Sequence, residues 1–140
     1  MTQTSKIEVY LSQEREEVLE FWTPMLQSKI PELYGINNLC ESVGLVLIGQ
    51  AGLLIGKKDG QKVGCMIFQP MTSRLDGTRT AMVRQLYGPN QGLAFRDALL
   101  ARLKSMGFNK MAGSTFSKKH EAFQRLIGMK FVSAYYEREV

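Results

Sequence analysis

The hydrophobic pattern changes its period between residues 80 and 108, and this change constrains the fold more than any other feature of the chain. Residues 80–88 (TAMVRQLYG) predict a strand that runs into a Gly-Pro turn. Apolar residues then recur three or four apart with charged residues between them, which predicts an amphipathic helix over 93–106 that ends at Gly107. The apolar stripe of this helix comprises Phe95, Ala98, Leu99, Leu103 and Met106.

The N-terminal part of the chain predicts one strand and two helices. Residues 6–11 (KIEVYL) predict the strand, and Ser12 is a good N-cap for a helix with three glutamates near its start. Pro24 must kink or divide this helix, because proline removes a hydrogen bond of the helix. A second helix is expected to begin at Pro31, which suits the first helical position, and to carry Leu39.

The central part of the chain predicts a meander of antiparallel strands. Asp59-Gly60 is a strong hairpin signal between two of its apolar runs, and residues 73–77 form a further turn. The strands of this meander are expected over residues 43–48, 53–56 and 63–69.

The C-terminal part predicts a strand within residues 109–116, a helix over 117–127 that ends at Gly128, and a last strand over 130–138. The whole order of elements implies an α/β (α+β) fold in which helices cover both faces of a mixed, mostly antiparallel sheet. At 140 residues the chain is expected to form a single domain over 1–140.

Composition limits the kinds of protein this chain can be. Hydrophobic residues are 44% and charged residues 22%, which suffices for a core without disulfides or metal. Cys40 and Cys65 stand alone, without a CxxC spacing or a Cys/His cluster, so we expect a reduced, cytoplasmic protein with no metal site. No apolar run approaches the roughly 18 residues of a membrane helix. The N-terminus does not resemble a signal peptide, so neither secretion nor a membrane partner is expected.

The formal net charge of +5 permits an anionic partner such as nucleic acid, a membrane surface or a phosphorylated cofactor. The basic residues are scattered, and Lys57-Lys58 and Lys118-Lys119 are the only adjacent pairs. The sequence therefore argues against nucleic acid as a partner, because no basic helix or tail is present.

The predicted order, with a βαα unit, a central hairpin and a C-terminal β-α-β-α-β unit, resembles the GNAT superfamily of N-acetyltransferases. The segment 80–108 (TAMVRQLYGPNQGLAFRDALLARLKSMGF) has the layout of the family's strand, glycine-containing loop and helix. The segment 120–131 (HEAFQRLIGMKF) is similar to the family's last helix and the turn after it. The C-terminal stretch looks closest to small bacteriophage proteins with a GNAT-like domain, some of which are internal virion components.

The resemblance implies that acetyl-CoA is the cosubstrate, with its pyrophosphate at the loop over residues 88–94. A helix N-terminus favours an anion, and Gly92 lets the backbone approach it closely. Arg84 and Arg96 could add charged contacts. The family also implies that the backbone of residues 82–85 binds the pantetheine arm. The candidate cofactor-binding residues are therefore Val83, Arg84, Gln85, Gly88, Asn90, Gln91, Gly92, Leu93 and Ala94.

The chain departs from the family's pattern at positions that matter for chemistry. Pro89 stands where the family's loop usually has a polar residue, and proline lacks an N–H. The family's Asn before the last helix falls at Ser117, and the Tyr that often protonates the leaving thiolate falls at Gln124. His120, the only histidine, is the candidate catalytic base because imidazole titrates near neutral pH, although a capping or surface role also suits it. The strand over 79–87 has no carboxylate, and Asp76 and Glu121 are only nearby in sequence. Tyr87, Tyr135 and Tyr136 could act as acids, but a tyrosine on a strand is more often a packing residue.

Two functions remain open from the sequence. The first is an acetyltransferase that moves an acetyl group to an amine of a small molecule or a protein. The second is a GNAT-fold structural or interaction protein without catalytic activity, which binds other virion proteins inside a phage particle.

Overall fold

The protein is described by a computed structural model over residues 6–89 and 91–113. A 3₁₀ helix (Arg15–Phe21) follows the first strand and leads directly into the first α-helix. The elements are β1 (Glu8–Leu11), α1 (Trp22–Gln27), α2 (Ile30–Tyr34), α3 (Ile36–Leu47), β2 (Gly52–Lys58), β3 (Gln61–Thr72), β4 (Arg79–Tyr87), α4 (Gly92–Ser105) and β5 (Lys110–Gly113).

The five described strands form one sheet in the order β1-β2-β3-β4-β5. Neighbouring strands are antiparallel except β4 and β5, which run parallel from Thr80↔Lys110 to Val83↔Gly113. The predicted mixed, mostly antiparallel sheet is confirmed. The hairpin turn between β2 and β3 has positive φ at both Asp59 and Gly60, which suits the twist of a two-residue hairpin.

The prediction of a strand over residues 43–48 is wrong, because α3 continues to Leu47. Leu39, Val43 and Val46 are buried and recur four and three residues apart, so they lie on one face of a helix. A short apolar run does not separate a buried strand from a buried helix by its period alone, and its valines favoured the strand.

The N-terminal helical segment is more divided than the sequence indicated. Pro24 lies in the first turn of α1, where a missing N–H costs little, and the 3₁₀ helix precedes it. Gly35, with φ of 85°, separates α2 from α3, so the predicted helix from Pro31 to Leu39 is two helices. The predicted helix over 117–127 and strand over 130–138 lie outside the described residues.

Each face of the sheet has its own hydrophobic core. Leu53 and Leu54 are consecutive in β2 and point to opposite faces, as strand geometry requires. On one face the core is formed with the helices that precede β2 and includes Val18, Phe21, Met25, Leu39, Val43, Val46, Leu53, Ile55 and Ile67. On the other face the core is formed with α4 and includes Leu54, Met66, Phe68, Ala81, Phe95, Leu99 and Leu103. Helices therefore cover both faces of the sheet.

The C-terminal end of α4 is attached to the first residue of β4. The Arg79 guanidinium donates a hydrogen bond of 2.9 Å to the Met106 carbonyl and lies 4.6 Å from the centre of the Phe108 ring. The Arg79 N–H donates to Asn109 Oδ1, and the Asn109 N–H donates to the Arg79 carbonyl. Gly107, with φ of 89°, ends the helix as predicted, because only glycine adopts this conformation readily.

Glu17 is the centre of a polar cluster that ties the 3₁₀ helix to the sheet. Its carboxylate accepts hydrogen bonds of 2.8 Å from the Tyr10 and Ser12 hydroxyls and pairs with Lys62 at 3.0 Å. Burial opposes ionisation of Glu17, but the hydrogen bonds from Ser12, Tyr10 and Lys62 outweigh it and lower the pKa of this carboxyl. Burial and the bond to Glu17 raise the pKa of Tyr10 to about 12.

The lowered pKa of Glu17 predicts a pH dependence of stability. A carboxyl with a depressed pKa in the folded state stabilises the protein above its ordinary pKa, and this stability is lost as pH falls through the folded value. Between about pH 5 and pH 3, the wild type should therefore lose more free energy of unfolding than Glu17→Gln. Urea denaturation across this range measures the difference, with exposed Glu14→Gln as the control. Parallel curves for wild type and Glu17→Gln would contradict it.

The core assignment of α4 predicts unequal effects for two adjacent leucines. Leu99 is 1% exposed and Leu100 is 42% exposed. Leu99→Ala should cost roughly 2 to 5 kcal/mol because it leaves a cavity under the helix. Leu100→Ala makes the same chemical change on the outer face and should cost well under half as much. Chemical denaturation of both variants decides the matter, and equal costs would show that α4 packs through a different face.

Candidate functional site

The loop between β4 and α4 is a tight turn built on two glycines. The Gln91 N–H donates a hydrogen bond of 3.3 Å to the Gly88 carbonyl, and the Gln91 side-chain amide donates to the Pro89 carbonyl at 3.2 Å. Gly92 begins α4 with φ of 54°, a left-handed conformation that favours glycine. Asn90 lies outside the described residues.

The N-terminus of α4 offers backbone N–H groups to an anion. Among the described residues no side chain caps this end, and the first turn contains no acidic residue. The first N–H groups of a helix have no partner within the helix, and the helix dipole adds positive charge there. Gly92, Leu93 and Ala94 are exposed, and a Cβ placed on Gly92 would meet no atom of the described residues within 4 Å. The loop therefore has the chemistry and the open space that a phosphate group requires.

The Phe95 ring holds this end of α4 against the sheet. It lies where side chains would stand on three glycines: a Cβ on Gly56 or Gly64 would come within 2.7 or 2.6 Å of the ring, and a Cβ on Gly88 would come closer still. These glycines belong to β2, β3 and the end of β4. We call this arrangement the glycine slot. It positions the first turn of α4 directly beside the loop.

A β-bulge interrupts β4 at Arg84. On β3 the partner of Gln85 is Ile67, and the partner of Val83 is the next residue, Phe68, so Arg84 has no partner residue there. Consecutive strand residues normally point to opposite faces. Here the side chains of Arg84 and Gln85 both reach the Ser42 hydroxyl of α3, at 3.0 and 3.4 Å. The bulge has thus turned two neighbouring polar side chains towards α3.

The Arg84 guanidinium is held by α3 and β3 together. Its Nε donates to Ser42 Oγ at 3.0 Å, one terminal nitrogen donates to Gln69 Oε1 at 3.1 Å, and the other pairs with Glu41 Oε1 at 3.1 Å. The arginine side chain is 19% exposed and the glutamate side chain is 66% exposed. The Arg84–Glu41 ion pair therefore lies at the protein surface, and the other contacts of Arg84 lie beneath it.

Gln85 is fully buried beneath Arg84. Its amide nitrogen donates a hydrogen bond of 2.8 Å to Asn38 Oδ1, while its amide oxygen is buried without a partner among the described residues. The Ser42 hydroxyl in turn donates to the Asn38 carbonyl at 2.6 Å. We refer to these side chains as the α3–β4 polar cluster, which consists of Asn38, Glu41, Ser42, Gln69, Arg84 and Gln85.

The members of this cluster outside β4 were missed by the sequence analysis. Glu41 and Ser42 lie three and four residues after Asn38, a spacing that brings side chains together on a helix. A helix that continued through residues 43–48 would have a buried face at Leu39, Val43 and Val46, and this face would bring the helix against the sheet. Nothing in the sequence around Gln69 indicates its contact with Arg84.

Both arginines that were expected from the sequence to contact the anion pair with other side chains of the protein. Arg84 is held in the α3–β4 polar cluster, and Arg96 pairs with the Asp97 carboxylate at 2.7 Å. Val83 packs on the α4 side of the sheet and pairs with β5. The candidate base His120 lies outside the described residues.

Asp76 and Tyr87, two further ionisable groups considered from the sequence, both make contacts within the fold. Asp76 lies in the turn between β3 and β4 and accepts a hydrogen bond of 2.9 Å from the Thr78 N–H, which lowers the pKa of this carboxyl. The Tyr87 ring packs edge-to-face on Phe21, with 6.3 Å between ring centres, and burial raises the pKa of its hydroxyl. The expectation that Tyr87 is a packing residue agrees with this contact.

Solved structures share this architecture over nearly the whole chain. A ribosomal-protein-alanine N-acetyltransferase from Brucella melitensis biovar Abortus matches with a TM-score of 0.64 and 19% identity, over 96% of this chain and 99% of its own. A predicted acetyltransferase from Clostridium acetobutylicum, solved with acetyl-CoA, matches with a TM-score of 0.61 and 12% identity, over 95% and 96%. An aminoglycoside N-acetyltransferase in complex with CoA matches with a TM-score of 0.58 and 14% identity, over 99% and 98%.

The chain has the GNAT fold. No protein-family model and no curated protein matches its sequence, so the likeness rests on structure. Within residues 6–89 and 91–113 of this GNAT fold, no helix is long and apolar enough to cross a membrane.

The glycine slot predicts opposite effects for the same substitution at two positions. Gly64→Ala should destabilise the protein by about 1 to 3 kcal/mol, because the new Cβ would collide with the Tyr87 backbone oxygen and the Phe95 ring. In the described part of the chain, a Cβ on Gly44 in α3 meets nothing within 4 Å, so Gly44→Ala should stabilise the protein by roughly 0.5 to 1 kcal/mol. Thermal and urea denaturation of the two variants provide the comparison. A neutral Gly64→Ala would mean that Phe95 does not occupy the slot.

Proposed function

We propose that this protein binds acetyl-CoA and transfers its acetyl group to an amine of a small molecule or a protein. The observation that supports this most strongly is the uncapped N-terminus of α4, held by the glycine slot beside an open glycine loop. The GNAT fold of the chain and the coenzyme A complexes of two structural neighbours point to the same ligand. A cytoplasmic location belongs to this proposal.

Residues of the chain fit such a ligand in two places. The N–H groups of Gly92, Leu93 and Ala94 would bind the pyrophosphate, and the open side of Gly92 would let the phosphates approach. The backbone of β4 from Val83 to Gln85 would bind the pantetheine arm. The bulge supports this second contact, because Arg84 has no partner residue on β3 and its backbone lies outside that ladder.

Bound acetyl-CoA would supply an acetyl group activated as a thioester. The chain would have to orient the amine and accept its proton. The strand β4 itself carries no carboxylate, and Gln85 cannot accept the proton because an amide does not ionise near neutral pH. Glu41 is the carboxylate that the fold brings to β4, through Arg84. His120 stays the proposed base from the sequence.

A second candidate is a GNAT-fold structural or interaction protein without catalysis, which would bind other proteins of a bacteriophage particle. Two observations favour it: Pro89 lacks the N–H of the family's usual residue, and the two arginines expected near the anion, Arg84 and Arg96, are paired with carboxylates of the chain. Coenzyme A binding separates the two candidates, since the second requires none.

Isothermal titration with coenzyme A tests the acetyltransferase proposal. The wild type should bind, and Gly92→Val should weaken binding at least tenfold because its side chain would occupy the space beside the phosphates. Gly60→Val is the matched control: Gly60 also has positive φ and open surroundings, but it lies in the β2–β3 hairpin. Its backbone strain is similar, and it should leave coenzyme A binding unchanged.

Absence of heat from the wild type at millimolar coenzyme A would overturn the proposal and leave the structural candidate. Equal loss of binding in both glycine variants would show that backbone strain, rather than the site, is responsible.

A further inference from the structure

We propose that Glu41 is a positioning residue for the pantetheine arm, acting through Arg84 to hold the bulged segment of β4 in its binding conformation. This inference rests on the proposed function, and it assigns to α3 a part in the binding of acetyl-CoA. It is carried by the contacts of the α3–β4 polar cluster.

The bulge at Arg84 and the α3–β4 polar cluster depend on each other. A bulge leaves one residue outside the ladder, so the sheet alone does not fix the conformation of Arg84. Its side chain is fixed instead by three partners, two on α3 and one on β3. The hydrogen bond from Gln85 to Asn38 attaches the next residue of the strand to the same helix.

Arg84 is mostly buried, and Glu41 is the only acidic partner that the described residues give it. Removing that carboxylate would leave a buried guanidinium with two neutral partners, Ser42 and Gln69. A mostly buried cation without its counter-ion moves towards solvent. We therefore expect loss of Glu41 to loosen the side chain that fixes the bulge.

Arg84 precedes Gly88 by four residues, or about 13 Å of extended strand. The cluster therefore acts on the part of β4 proposed to bind the arm, and the glycine slot acts on the part proposed to bind the phosphates. Without Glu41, the bulged segment of β4 would have to be ordered when the pantetheine arm binds. This cost weakens the binding of a ligand that carries the arm and leaves the binding of the phosphates unchanged.

The test compares two ligands: coenzyme A, and 3′-phospho-ADP, which keeps the pyrophosphate but lacks the pantetheine arm. Titration calorimetry should show that Glu41→Ala weakens coenzyme A about 5- to 10-fold while changing 3′-phospho-ADP less than about twofold. Glu41→Gln keeps a neutral acceptor for Arg84 and should fall between wild type and Glu41→Ala. Glu20→Gln is the matched control, because Glu20 is 55% exposed and pairs with Lys62 away from β4.

Each outcome decides between the proposals. A loss confined to coenzyme A supports the positioning role. An equal loss for both ligands, or none for either, overturns it and leaves the acetyltransferase proposal intact. A wild type that binds neither ligand overturns both proposals.

Discussion

The packing of the Phe95 ring into the glycine slot is the contact on which the rest of the site depends. It places an aromatic ring directly on the backbone of β2 and β3 and at the end of β4, with Gly56, Gly64 and Gly88 beneath it. Close packing of this kind leaves no room for the helix to slide or rotate. The N–H groups of the first turn of α4 are consequently fixed relative to the sheet, as electrostatic recognition of an anion requires.

On the opposite face of the sheet, β4 itself is attached to α3 by polar contacts. There the bulge at Arg84 turns two side chains to α3, and the burial of Gln85 is compensated by a hydrogen bond to Asn38. Buried polar networks specify one arrangement when their members are satisfied. The unpartnered oxygen of Gln85 is the exception within the described part of this network. The strand β4 thus has an apolar attachment to α4 on one side and a polar attachment to α3 on the other.

The sequence predicts the elements that are governed by local rules. The stripe from Phe95 to Leu103 identified α4, the Asp59-Gly60 pair identified a hairpin, and Gly107 identified the end of the helix. The GNAT fold was expected from a resemblance to that superfamily, carried by the predicted order of elements and by segments 80–108 and 120–131, and it is confirmed. The α3–β4 polar cluster could not be predicted, because residues 43–48 lack a distinctive period and a bulge has no signature in a strand such as 79–87. The glycine slot was hidden for a different reason, since its residues come from three separate strands.

The attachment of Arg79 to the C-terminal end of α4 has a consequence for how this chain tolerates evolutionary change. One strand is joined to both ends of one helix, at Arg79 through the Met106 carbonyl and at Gly88 through Phe95. An inserted residue would turn the rest of the helix by about 100°, or would reverse the facing of the rest of the strand. Substitutions can therefore accumulate in β4 and α4, whereas a further insertion or deletion, beyond the bulge already present at Arg84, would break one of these two attachments. In proteins that evolve from this chain and keep its fold, the number of residues in β4 and in α4 is therefore more constrained than the identity of those residues.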